Sequence, residues 1–305
     1  MKFDFISVPM GWVLRQLSNL FSGNFALAVL VFTLLVNLLM LPLSIKSQKS
    51  TVQQARIKPK LDALKKKYEN DKKRYNEEMQ KLYSEEKVSM SGGCLPLIIR
   101  LVFMMGVYWA IYSPLQYVLR VPKATINKAI KVATEAGIKL DKGREQITLI
   151  GKIQGGNKAL GKIISPKIVN SVNFDLFGIN LTQKPHFGFS LDAIDINWLI
   201  PFAAFATAML TSILSMHMQK KTNPDAPSMA GMMLTMPLIS LWFAFTFPCA
   251  VGFYWACSSL ISGLIQVWVQ KYYGPDVLIA KSQINETYER YQKEQKKLSA
   301  DTSEN

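Results

Sequence analysis

Cysteine and histidine are scarce in this chain of 305 residues: it has three of the first and two of the second. Cys94, Cys249 and Cys257 form no CxxC pair, and only His186 and His217 stand ready to join them, so neither a zinc site nor a disulfide framework is indicated. Cysteines serving as small buried hydrophobes account for them better. There is no Walker-type phosphate loop, and no acid, base and nucleophile converge on one face, so an enzyme is the least supported class and no cofactor is expected. Acidic residues are outnumbered, 21 against 36 basic ones, for a formal net charge of +15. No pattern in that excess points to specific nucleic-acid recognition. Residues 1–25 contain Lys2 but no uninterrupted apolar run and no small-residue cleavage site, so a cleaved leader or a transit peptide is not expected.

What the chain does have is apolar length. It is 49% hydrophobic, and the apolar residues are segregated from the charges. A helix that crosses a bilayer needs roughly 20 largely apolar residues, because its backbone must satisfy its own hydrogen bonds across the hydrocarbon. Five stretches meet that length: 24–44, 93–119 with one charge at Arg100, 198–218, 229–247 and 251–270. The last two are separated only by Pro248, Cys249 and Ala250, which predicts a tight hairpin. No stretch between Arg120 and Asp195 stays apolar long enough for a sixth.

Residues 45–92 are dense in base, including Lys65, Lys66, Lys67, Lys72, Lys73 and Arg74, and a short basic segment belongs in the cytoplasm. That places residues 1–23 and the loop 120–197 outside, with 219–228 and the tail 271–305 inside, in a multi-pass protein whose amino terminus is outside and carboxyl terminus cytoplasmic. The lysines of the outer loop do not conflict, since long loops translocate largely regardless of charge.

Within 45–92, Ile57, Leu61, Leu64 and Tyr68 recur at helical steps, as do Tyr75, Met79 and Leu82, with Asn70 and Asp71 between them. Two amphipathic helices folded back on each other are predicted, with their apolar seams face to face. The lysines are either a solvated face or a docking surface for ribosomes, targeting factors or anionic headgroups. Trp12, Leu17, Leu20 and Phe21 among polar neighbours predict an interfacial helix in residues 1–23. The outer loop predicts a helix over 124–136 and then a glycine-punctuated stretch of no legible function.

Certain motifs are more specific. Leu39-Met40-Leu41-Pro42-Leu43 precedes the basic hairpin, Asn76-Glu77-Glu78-Met79-Gln80-Lys81-Leu82-Tyr83 lies in it, and Gly92-Gly93-Cys94-Leu95-Pro96-Leu97 follows it. Phe174-Asp175-Leu176-Phe177-Gly178-Ile179-Asn180-Leu181 leads into the third span, and Gly252-Phe253-Tyr254-Trp255 with Ser258-Ser259 lies in the last. In combination these resemble the YidC/Oxa insertases over nearly everything except residues 123–171. The resemblance implies an all-α polytopic fold of five transmembrane helices around a hydrophilic groove open to cytoplasm and lipid, with a cytoplasmic helical hairpin. It implies insertion of newly made membrane proteins without ATP, alone or with the Sec translocon. Nascent membrane proteins, the bilayer and the ribosome are the partners it implies, and a bacterial plasma membrane the setting.

Many members carry a groove-facing arginine in the first conserved span, where this chain has Asn37. A charge inside a bilayer costs at least about 2.5 kcal/mol, so Arg100 needs a compensating reason to exist. Asn37 and Arg100 both fall near the cytoplasmic end of their spans, which predicts that Arg100 replaces the missing cation with Asn37 as its hydrogen-bonding partner. The alternative is that Arg100 snorkels to headgroups and does nothing else. Thr207, Thr211 and Ser215 share one face of the third span, and Ser258, Ser262 and Gln266 one face of the fifth. They suit a wet groove wall or, singly, ordinary close packing of membrane helices. Gly92-Gly93 suits a flexible joint. Methionines such as Met216, Met218, Met229, Met232, Met233 and Met236 suit core filling or an adaptable apolar surface. A non-inserting assembly scaffold remains a rival. A small-solute transporter is a weaker one, since neither inverted repeats nor paired broken helices are present.

Overall fold

The computed structural model describes residues 4–86, 88, 95–186, 195–222 and 230–303, without the side chains of some helical positions, Arg100 among them. Gly92, Gly93, Cys94, Met229 and the side chains of Met232, Met233 and Met236 also lie outside the described residues. The chain begins with α1 (Asp4–Leu20) and α2 (Phe25–Leu39), followed by α3 (Leu41–Lys67) and α4 (Lys72–Glu85). Next come α5 (Leu95–Tyr112), the single turn α6 (Pro114–Tyr117), α7 (Lys123–Glu135), α8 (Glu145–Gln154), and the short turns α9 (Lys158–Gly161) and α10 (Pro166–Val169). A two-residue hairpin, β1 (Asp175–Leu176) and β2 (Ile179–Asn180), precedes α11 (Leu199–Thr222), α12 (Ala230–Thr246), α13 (Cys249–Tyr273) and α14 (Pro275–Ser303). Two compact units result: residues 1–40, 97–216 and 227–263 form one, and 41–96, 217–226 and 264–305 the other.

In the first unit, α1 inverts the usual order of burial. It buries Ser7, Met10, Gly11, Leu14 and Ser18 and leaves Phe5 91% and Leu20 73% exposed, with Val8 and Trp12 half uncovered between them. Small residues on the inner face let α1 approach closely. A Cβ on Gly11 would sit 2.5 Å from the Tyr117 carbonyl oxygen, and one on Gly106 of α5 would sit 1.9 Å from Met10 Sδ. The Tyr117 oxygen is main chain and cannot rotate aside. Gly11→Ala is therefore expected to destabilise the chain by about 1–3 kcal/mol, read as a lower melting temperature in detergent. Gly151→Ala, where a Cβ meets nothing within 4 Å, is the control and is expected to change little.

The loop after α6 folds into a small helical module with its own apolar centre, in which Ile126, Ala129, Leu149, Ile150, Ile153, Leu160, Ile164 and Val169 are all buried. The α7 helix occupies Lys123–Glu135, where the sequence predicts one over 124–136. Gln146 accepts a hydrogen bond from the Gln116 amide at 3.1 Å, and Arg144 donates to the Thr182 carbonyl at 3.0 Å, which ties the module to the segments on either side.

In the second unit, α3 and α4 fold back through a turn at residues 68–71. Asp71 caps α4 by accepting from the Arg74 amide at 3.0 Å. Ile57 is buried, and Leu61, Leu64, Tyr68, Tyr75, Met79 and Leu82 are half-buried, while the lysines among them other than Lys58 face water. Lys60 pairs with Glu86 across the hairpin. Lys81 donates to Glu78 at 2.9 Å, which holds that carboxyl below its ordinary range and raises the ammonium in turn. Lys81 is exposed and Glu78 partly so, and a surface pair of this kind contributes little to stability. Gln48 donates to Gln270 at 2.6 Å, and the Lys49 ammonium lies 5.5 Å from the Tyr273 ring centroid, so α3 also rests on the end of α13.

Candidate functional site

The site expected from sequence rests on helices of strongly apolar composition. Among the described residues, Ile196–Met218 and Cys249–Tyr273 are each long and apolar enough to cross a membrane, and Phe25–Leu39 with Leu41–Gln54 makes a third if counted as one broken span. Val102–Tyr112 and Pro237–Thr246 are apolar but shorter. The break at Met40 has a local cause: Pro42 has no amide hydrogen to continue the α2 ladder, and its ring disfavours continuation through the preceding turn.

These helices leave large apolar side chains uncovered. Leu38 and Leu39 of α2, Ile98 of α5, Leu199 and Ile213 of α11, Trp242 of α12 and Leu260 of α13 are all exposed. Water would make that surface costly, whereas hydrocarbon covers it.

On α2 the polar residues form a ladder. Thr33, fully buried, donates its hydroxyl to the Val29 carbonyl at 2.6 Å, and Asn37, half-buried, donates its amide to the Thr33 carbonyl at 2.8 Å. Both spacings are four residues, so Val29, Thr33 and Asn37 line one face. The Asn37 carbonyl oxygen receives no donor among the described residues. Arg100 is the sixth residue of α5, and its side chain lies outside the described residues.

On α11, Thr207 donates to the Ala203 carbonyl at 2.9 Å and Thr211 to the Ala208 carbonyl at 2.9 Å. On α13, Ser258 and Ser259 are buried, and Ser262, half-buried, donates to the Ser258 carbonyl at 2.6 Å. The hydroxyl protons of Thr207, Thr211 and Ser262 are thus satisfied within their own helices, leaving the lone pairs of those three oxygens as the polar feature. Gln266 belongs to the second unit and is exposed.

The helices themselves meet through small residues. A Cβ on Gly263 would lie 2.5 Å from Thr211 Cγ2, and one on Gly252 would lie 2.8 Å from Ile200 Cγ2. Ala204, Ala244 and Ala256 form a buried cluster where α11, α12 and α13 join. Thr211 therefore has a packing role against α13, the common use of small and hydroxylated residues between membrane helices. Sequence reading passed over Gly263, met Gly252 only inside a family motif and not as a packing contact, and did not single out Thr33. Glycines inside long apolar helices were the available signal for the first two.

One further arrangement surrounds the helix starts. The first amides of a helix lack intrahelical partners, a serious deficit beside hydrocarbon. Here the segment 173–183 supplies them: Phe25 donates to the Asn173 carbonyl at 3.0 Å, Cys249 to Gln183 at 2.7 Å and Ala250 to Leu181 at 2.8 Å. The same segment holds the β1–β2 hairpin, whose turn residues Phe177 and Gly178 both have positive φ, +50° and +85°. Among the described residues, no group of three His, Cys, Asp or Glu side chains is placed to hold a metal ion.

Apolar helices with uncovered outer faces, small-residue contacts between them and backbone-capped ends define an all-α membrane protein. Residues 16–276 match the family model described as "60Kd inner membrane protein", and the chain belongs to that family, the YidC/Oxa group. It is similar to "Membrane protein insertase YidC" of Neisseria meningitidis (serogroup C, strain FAM18), 24% identical over 269 residues, which are 88% of this chain and 36% of that protein. It is also similar to "Membrane protein insertase YidC 2" of Listeria innocua, 25% identical over 262 residues, 85% of this chain and 68% of that one. A third, "Membrane protein insertase YidC" of Rickettsia felis, is 25% identical over 252 residues, 82% of this chain and 36% of that protein. The chain thus spans about a third of the Neisseria and Rickettsia proteins. It is a bacterial membrane protein.

Proposed function

We propose that this chain is a membrane protein insertase, which shelters the polar end of a newly made membrane protein while the adjacent apolar stretch passes into lipid. The observation that carries the reading is the family match over residues 16–276, running from within α1 to the start of α14. In this reading α2, α5, α11, α12 and α13 are five spans, the amino terminus is outside and the carboxyl terminus cytoplasmic. The basic α3–α4 hairpin meets ribosomes or anionic headgroups, and a Sec-type translocon works beside the chain for some substrates.

An entering substrate faces a physical problem, since its charged and backbone groups would be stripped of water in hydrocarbon. A partly hydrated groove shortens the dry path. Asn37, Thr207 and Ser262 offer acceptor oxygens on otherwise apolar helices, which supports such a wall with Ser258 beside them, and Arg100 adds the cation that draws an acidic leading segment. Carbonyls of the segment 173–183 bound to the starts of α2 and α13 support closure at that end. Burial of the substrate's apolar stretch in lipid, about 25 cal/mol per Å², supplies the drive, so no nucleotide is consumed.

The test is reconstitution of the purified chain in liposomes with a single-span substrate bearing a short polar tail. The tail is expected to gain protease protection with the protein present and to gain none in empty liposomes. Equal protection in both would overturn the reading. A scaffold that only gathers inserted helices would give no protection, and a solute transporter would move small anions without it.

A further inference from the structure

Arg120, three residues beyond α6, has a backbone conformation that side-chain-bearing residues rarely take, with φ at +55°. On either side of it the Leu119 amide donates to the Pro114 carbonyl and the Val121 amide to the Leu115 carbonyl, both at 2.8 Å. Glycine is the ordinary occupant of that position, because it has no Cβ to crowd the carbonyl. An arginine kept there against that preference suggests that its side chain has work to do.

That side chain lines a cavity of about 240 Å³ together with Asp4, Val8, Gln116, Tyr117 and Lys123. Asp4 is already engaged, accepting from the Tyr117 hydroxyl and pairing with Lys123 at 3.1 Å. The Arg120 guanidinium has no carboxylate, carbonyl or ring partner among the described residues. Two cations against one committed carboxylate leave the cavity net positive. Its other wall is apolar: Val8 belongs to the outward stripe of α1 with Phe5 and Trp12, at steps of three and four on one helix face.

A cation at the edge of an exposed apolar stripe matches the two ends of a phospholipid. We propose that this cavity holds the headgroup phosphate of an anionic phospholipid on the Arg120 guanidinium, with the acyl chains lying along Phe5, Val8 and Trp12. A zwitterionic lipid fits less well, because its amine would need a free carboxylate and Asp4 is taken. The inference rests on reading α1 as a helix at the membrane surface, and it does not depend on insertion of substrates.

The full chain, purified in detergent, is titrated with phosphatidylglycerol, phosphatidylcholine or inorganic phosphate. Lipid binding is counted by native mass spectrometry and melting temperature is followed in parallel. The wild type is expected to bind phosphatidylglycerol in preference to phosphatidylcholine, with a rise in melting temperature that inorganic phosphate at the same concentration does not reproduce. Arg120→Gly removes the guanidinium and relieves the left-handed backbone. It is expected to melt at or above the lipid-free wild-type temperature yet to lose about tenfold in phosphatidylglycerol affinity, while Arg120→Lys keeps part of it. Retention of the full preference by Arg120→Gly overturns the proposal. So does equal binding of the two lipids by the wild type, and equal stabilisation by inorganic phosphate would make the cavity a phosphate site without a lipid. Should Arg120→Gly fail to fold, Arg120→Gln carries the same comparison. Because insertion is measured separately, failure here leaves the insertase reading standing, and failure of insertion leaves the lipid preference standing.

Discussion

Replacing Arg100 with alanine is expected to cut insertion of substrates with acidic leading segments by about tenfold or more, since a hydrogen bond to a charged group contributes roughly 1.5–3 kcal/mol. Arg100→Lys is expected to keep most of the activity, because a point charge suffices to draw a carboxylate toward the groove. The residue lies in the second turn of α5, on a helix that is otherwise apolar. A charge at the centre of a bilayer costs at least about 2.5 kcal/mol and less toward the end of a span, and a sheltering acceptor lowers the cost further. Asn37 has one to offer: its amide is committed to the Thr33 carbonyl, and its own carbonyl oxygen is open among the described residues. The measurement is protease protection of tails that differ only in charge, at matched protein levels in the liposomes. Equal insertion of acidic and neutral tails by Arg100→Ala at the wild-type rate would mean that the guanidinium reaches headgroups and takes no part.

The largest effect on stability is expected at Phe25. Its side chain is fully buried, and its ring lies 4.8 Å from that of Phe174 at a tilt of 53°. The backbone repeats the attachment, because the Phe25 amide donates to the Asn173 carbonyl and the Asn173 amide to Gly23 at 2.7 Å. Phe25→Ala would empty a fully buried site, at a cost of about 3–5 kcal/mol by analogy with buried phenylalanines elsewhere. A lowered melting temperature in detergent is the readout. Phe174→Ala is expected to act through the same contact, so the double variant should lose less than the sum of the two. Additive losses would show that the rings act independently and that segment 173–183 is held by its backbone bonds alone.

Much of this architecture was readable residue by residue. The seam of the α3–α4 hairpin follows from the period of Ile57, Leu61, Leu64 and Tyr68, because one helix face is chosen by which side chains avoid water. The turn before α13 follows from Pro248, and Trp12 and Leu20, which set residues 1–23 apart among polar neighbours, are exposed on α1. The polar stripes were readable as stripes but not as contacts. Thr211 meets Gly263, a residue that carries no polar signal, and Asn37 turns back to Thr33, which the pattern did not single out.

The sequence by itself determined the family, the seam of the basic hairpin and the uneven placement of charge. Each of these depends on residues adjacent in the chain or one helical turn apart, where hydrophobic run length and local hydrogen bonding decide the outcome. Only the tertiary structure decided that Gly11 seats against the Tyr117 carbonyl, that carbonyls from 173–183 complete the first amides of α2 and α13, and that Arg120 takes a left-handed backbone beside a cavity. Those partners lie far apart along the chain. What joins them is the need of membrane-embedded helices to pack closely and to leave no backbone donor unpaired, a condition on the folded whole that no local stretch of residues expresses.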